Sequence, residues 1–152
     1  MTRTAEQLAD VLQSEAEVSD ELLKAMEKKQ ESLIYFKADV MADAVDRERS
    51  LLKQMRELEQ ERERIVADLA SGVPALKGRS NGPTVSELVR YVEGNTGLRL
   101  SELAQRIKTV GHRVQQKNQQ NRMLLDSSAR FIKNTLRILT DDNARQLVDR
   151  TI

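Results

Sequence analysis

Gln115 to Leu139 reads QQKNQQNRMLLDSSARFIKNTLRIL. The stretch opens almost purely polar, with Asn118 and Asn121, and then turns apolar through Leu124, Leu125, Phe131, Ile132, Leu136, Ile138 and Leu139. No proline or glycine interrupts it, and its apolar residues recur at steps of three and four, which is helical spacing. It reads as the second half of a long C-terminal helix carrying two stripes. Leu103, Val110, Leu124, Phe131 and Ile138 share one seven-residue phase, with Lys117 in the gap. Leu125, Ile132 and Leu139, joined by Leu136, form a second stripe about 100° around the helix. A helical hairpin can bury one of them. The second must pair with another copy or a partner helix, unless the linker and a short neighbouring helix cover it. Asn118 and Asn121 read as a polar layer in the seam, a feature that costs stability and fixes register. A hydrophilic notch facing a partner is the other reading of that layer.

Working outward, the final helix is expected over 98–139, with Leu103, Ile107, Val110 and Val114 as its first seam and a tail over 140–152. Gly111 inside it reads as a close-packing point. Before it, Gly94-Asn-Thr-Gly97 ends a short helix over 84–93, whose T-V-S-E opening is a capping box from Thr84 to Glu87. SGVPALKGRSNGP, residues 71–83, is a loop, with Gly72 at the left-handed position closing the helix before it. From Thr4 to Leu69 the stripes Leu8, Leu12, Val18, Leu22, Met26, Leu33 and then Val40, Ala44, Leu51, Met55, Leu58, Ile65, Leu69 predict helix throughout. One rod of that length would run about 100 Å. The phase slips near Tyr35–Asp39, so helices over 4–36 and 39–70 are expected, with Asp39 as N-cap of the second. The fold class is all-α: an antiparallel long-helix bundle in one domain, with coiled-coil-like packing and about four helices, one of them short.

Composition limits the chemistry. The 152 residues contain no Cys and one His, His112, so thiolate chemistry is absent and no metal pattern forms. Ser127 and Ser128 lack a nucleophile elbow or a His partner, and the carboxylates of the first two helices read as a solvated face. An enzyme, a metal site and a cofactor are not expected. No run reaches the roughly 18 apolar residues of a membrane span, and the first residues do not resemble a signal peptide. A cytoplasmic protein without membrane insertion is expected. The net charge of +1 conceals a division: residues 1–70 carry 11 basic and 17 acidic side chains, and residues 71–140 carry 12 and 4. An acidic helix pair beside a basic helix explains this more simply than nucleic-acid binding, for which no motif is present.

Two stretches carry a family resemblance. ERSLLKQMRELEQER (Glu48 to Arg62) is similar to the charged, leucine-spaced run of the FlgN family of flagellar secretion chaperones. The N-x-x-N-x-x-LL pattern from Asn118, followed by an aliphatic helix to Leu139, resembles that family's C-terminal helix. The resemblance implies an all-helical cytosolic chaperone that binds the terminal helical segments of hook–filament junction (hook-associated) proteins, keeps them soluble and delivers them to the export gate. It maps client contact to Leu125, Phe131, Ile132, Leu136, Leu139 and Leu147. Many members end in a tyrosine- and glycine-containing tail linked to gate docking, and DDNARQLVDRTI has neither residue. The alternative is a homo-oligomeric coiled-coil adaptor, and a homodimer of the free chaperone is a further option.

Overall fold

The structure, a computed structural model, describes the backbone of residues 2–76 and 82–151 and the side chains of residues 3–76 and 82–140. Its elements are α1 (Thr2–Ile34), α2 (Ala38–Ser71), a 3₁₀ turn (Pro74–Leu76), α3 (Val85–Val89) and α4 (Gly94–Thr151). No strand occurs among the described residues, and the fold is an all-α helical bundle.

The first two helices form a hairpin. Neither glycine nor proline breaks them, and the chain stops α1 in an unusual way. Phe36 adopts a left-handed conformation at φ +54°, and the Lys37 N–H donates back to the Ser32 carbonyl at 2.9 Å. This 6→1 bond closes the helix as a Schellman turn does, with Phe at the position glycine usually takes. The N-cap of α2 is Lys37, not Asp39, and it offers no side-chain bond. Asp39 lies in the first turn of α2, where a negative charge suits the helix dipole. At the other end, Gly72 follows α2 in a right-handed conformation, so the expected left-handed glycine is not used there.

Thr84 caps α3 as its sequence dictates. Its Oγ1 accepts from the Glu87 N–H at 3.2 Å, and Glu87 Oε2 accepts from the Thr84 N–H at 2.9 Å. The helix is shorter than 84–93, and α4 begins earlier than expected, inside the Gly94–Gly97 segment. Gly94 turns the chain at φ +73°, and a Cβ on Gly97 would stand 2.3 Å from the Val92 carbonyl oxygen. These two glycines set the α3–α4 corner and also admit the first turn of α4. At its far end α4 runs on through Thr140 to Thr151. Thr-Asp-Asp-Asn contains no glycine or proline, so nothing forces a stop.

α1 is the central helix, flanked by α2 on one side and α4 on the other, and α2 and α4 do not approach each other closely. Asp10 pairs with Arg99, Asp20 with Arg106 and Gln30 with Gln120, in that order. α4 is therefore parallel to α1 and antiparallel to α2, which departs from a uniformly antiparallel bundle. The main core joins Leu8, Leu12 and Ala16 of α1, Ile65 and Leu69 of α2, Leu76, Leu88, and Leu100 and Leu103 of α4. A second cluster of Leu22, Ala25, Met26 and Leu51 lies toward the α1–α2 turn. Two helices meet α1 along its length because its apolar positions, Ala5, Leu8, Ala9, Val11, Leu12 and Ala16 among them, cover more than a single seam.

A candidate protein-binding arm on the last helix

The packing of α4 changes along its length. Leu100, Leu103 and Val110 are buried against the rest of the bundle. The polar layer follows. Asn121 is buried, its Nδ2 donates to the Met26 carbonyl at 3.0 Å, and its Oδ1 has no partner. Lys117 Nζ donates to Gln30 Oε1 at 2.7 Å, and the Gln30 amide donates to Gln120 Oε1 at 2.9 Å. Asn118 is exposed and takes no part in the layer. The two asparagines are three residues apart, and only Asn121 points at α1; Lys117, one turn before it, supplies the second polar group.

Beyond this layer α1 ends. Gln30 meets Gln120, so Ile34, one turn later, is level with about Leu124, since both helices rise 1.5 Å per residue. From there α4 continues for about 40 Å to Thr151. Its apolar residues stand open: Phe131 is 65% exposed, Ile132 55%, Leu136 59%, Ile138 59% and Leu139 54%. Leu125, at 37%, is the least open of the expected set among the described residues. Leu147, the last of that set, lies in 141–152, whose side chains are outside the described residues. The expectation that the hairpin buries one stripe holds only as far as Leu124, which is half-buried. Phe131 and Ile138 belong to that same stripe and are uncovered, because α1 is too short to reach them. Both stripes are thus open on the arm, as an arc about 160° wide at 100° per residue. Thr135 and Thr140 turn their hydroxyls back onto the carbonyls of Phe131 and Leu136, each at 2.8 Å.

Charge follows the same division. In the packed half, Arg99 and Arg106 pair with Asp10 and Asp20 of α1. Over residues 122–140, Arg122, Arg130, Lys133 and Arg137 accompany one acid, Asp126, and none of the four forms an ion pair among the described residues. The one buried carboxylate among the described residues is elsewhere. Glu15 is 1% exposed, and Arg62 Nη1 of α2 donates to it at 3.1 Å. Burial pushes the Glu15 pKa up from the ordinary 4.5, while the Arg62 charge and hydrogen bond oppose that. Its solvated reading from sequence overlooked one signal. Glu15 sits seven residues from both Leu8 and Leu22, in the phase of the core.

His112 is exposed, and no group of three or more metal-ligating side chains occurs among the described residues. No helix among them is long and apolar enough to cross a membrane. What the arrangement offers is an apolar, basic-edged helical surface. No curated protein and no solved structure matches the chain significantly. A family model described as FlgN protein matches residues 1–148, nearly the whole chain, and so the protein belongs to the FlgN family of flagellar export chaperones.

Proposed function

We propose that this chaperone binds the terminal helical segments of hook–filament junction proteins on the arm of α4, keeps them soluble in the cytoplasm and hands them to the export gate. The observation that carries the reading is the run of five large apolar side chains from Phe131 to Leu139, each more than half exposed on a continuous helix. A client segment that is unstructured when free and amphipathic when helical can lay its apolar face there. Covering the open half of each such side chain contributes on the order of 1 kcal/mol, with Leu125, Phe131, Ile132, Leu136 and Leu139 as anchors and Leu147 as an extension of them. Arg130 and Arg137 would steer acidic client positions. Asn121 would fix how α4 seats on α1, and with it where the arm begins. No catalytic or cofactor chemistry enters this role.

The double variant Ile132→Asp and Leu136→Asp tests the reading. Titrated with a labelled peptide carrying the C-terminal helix of a junction protein from the same genome, it should lose binding while its circular dichroism stays helical. Normal binding by this variant would remove the arm from the site. A free protein that sediments as a tight dimer with the arm occluded would favour the homo-oligomeric adaptor instead.

A further inference from the structure

The α1–α2 turn has no packing role that explains its residues. Ile34, Tyr35 and Phe36 are consecutive, large and apolar, and they are 52%, 65% and 77% exposed. Phe36 also holds the left-handed conformation that closes α1. A non-glycine residue there costs on the order of 1 kcal/mol, and such outliers cluster at active sites, ligand clamps and switch regions. Glycine or asparagine would close the helix with less strain. Phe36 gains nothing from burial in return.

The position of the turn is informative. Met26 and Gln30 face α4, through the Asn121 and Gln120 contacts. Ile34 follows Gln30 by one helical turn, on the same face of α1. The turn is therefore level with the residues, from about Leu124 onward, where α4 leaves the bundle. Val40 at the start of α2 adds further open apolar surface. Lys37 places its Nζ 5.8 Å from the centre of the Tyr35 ring, so the turn, like the arm, presents cationic and apolar groups together.

We infer that Ile34, Tyr35 and Phe36 form a second wall of the docking surface, and that a client helix is held between this turn and the base of the arm. The inference rests on the proposed use of the arm. The occupant that fits is an amphipathic helix with acidic residues along its edge. Residues 122–140 carry four basic side chains and one acidic, while at the turn the cation of Lys37 is balanced by Asp39. A second copy of this chain would set those like charges against one another. An acidic helix would complete for the arm the pairing that Asp10 and Asp20 of α1 give to Arg99 and Arg106.

Phe36→Asn in the full-length chain is the test, with the junction-protein peptide as probe and the Ile132→Asp, Leu136→Asp variant alongside. Asn tolerates the left-handed backbone, so the melting temperature should hold or rise while affinity falls roughly tenfold, as expected if the Phe36 ring is an aromatic anchor desolvated by the client. Tyr35→Ser should weaken binding in the same sense, without touching the strained position. If the arm variant loses the peptide and both turn variants bind as the wild type does, the second wall is overturned and the arm reading stands. If none of the variants alters binding, or the wild type fails to bind, both readings fall. A Phe36→Asn chain that melts well below the wild type would show Phe36 to be structural and would also overturn the inference.

Discussion

The two halves of α4 share one helix and one apolar phase, yet they have opposite surroundings. Leu103 and Val110 are buried, whereas Phe131 and Ile138, three and four heptads beyond Val110 in the same phase, are open to solvent. Arg99 and Arg106 have acidic partners on α1, whereas Arg130 and Arg137 have none among the described residues. What differs is only where the neighbour ends: α1 stops at Ile34, and α4 runs past it to Thr151. Periodicity therefore records that a face is meant to be covered. Whether the cover belongs to the same chain depends on the length of another helix. In the packed half the cover is α1, and on the arm no cover exists among the described residues.

Stability measurements can break this comparison. The largest effect is expected for Leu100→Ala, since Leu100 is fully buried in the main core; about 3 kcal/mol should be lost in urea unfolding. Ile132→Ala should change the free chain by less than ~0.5 kcal/mol, as an exposed position does. If the two cost the same, the arm is covered in the free protein and the contrast collapses.

The next largest effect concerns charge. Arg62→Met leaves the buried Glu15 carboxylate without its cation, which should cost about 2 kcal/mol at neutral pH, below the usual range for a buried pair because the Arg62 side chain is 30% exposed. Arg137→Met on the arm should cost nothing measurable. The pH dependence gives a second check. The Glu15 pKa is higher in the folded than in the unfolded chain, so above 4.5 the folded state binds more protons, and acidification toward 4.5 favours folding at this site. Losing Arg62 raises that pKa further. The deficit of the variant should therefore shrink between pH 7 and pH 5, and a deficit that grows on acidification would contradict the burial of Glu15.

Much of this was legible in the sequence because it is local. The stripe from Leu8 to Met26, the stripe from Ala44 to Leu69 and the Thr84 capping box all follow from spacing and cap chemistry, and each is where the spacing puts it. Two features were not legible in that way. The α1–α2 break depends on Phe36 taking a conformation that its side chain disfavours, so no glycine or proline marks it. The exposure of Phe131 and Ile138 is non-local, because nothing near them in sequence says that α1 has already turned back. Asn121 was readable from its phase and Asn118 was not, since a three-residue step moves a side chain far enough to leave the seam. The apolar set from Leu125 to Leu139 could be read as unsatisfied; its docking role is an inference from that.

The smallest effect tests how tightly the packed half of α4 is held. Gly111 lies in that half, beside buried Val110, and glycine there suggests a close approach of two backbones. The geometry says otherwise: a Cβ built on Gly111 meets nothing within 4 Å, whereas one on Gly97 would collide with the Val92 carbonyl oxygen at 2.3 Å. Gly111→Ala should therefore gain most of the intrinsic helix preference of alanine, about 1 kcal/mol, and raise the melting temperature. Gly97→Ala should lower it, because the obstruction is backbone and cannot rotate away. The two substitutions are chemically identical and lie in one helix, so opposite signs would isolate packing from propensity. If Gly111→Ala were destabilising instead, α1 and α4 would have to sit closer than they do here. The open space at Gly111 implies that α1 holds α4 through side chains such as Leu103, Val110 and Asn121, and that the base of the arm is fixed by those contacts.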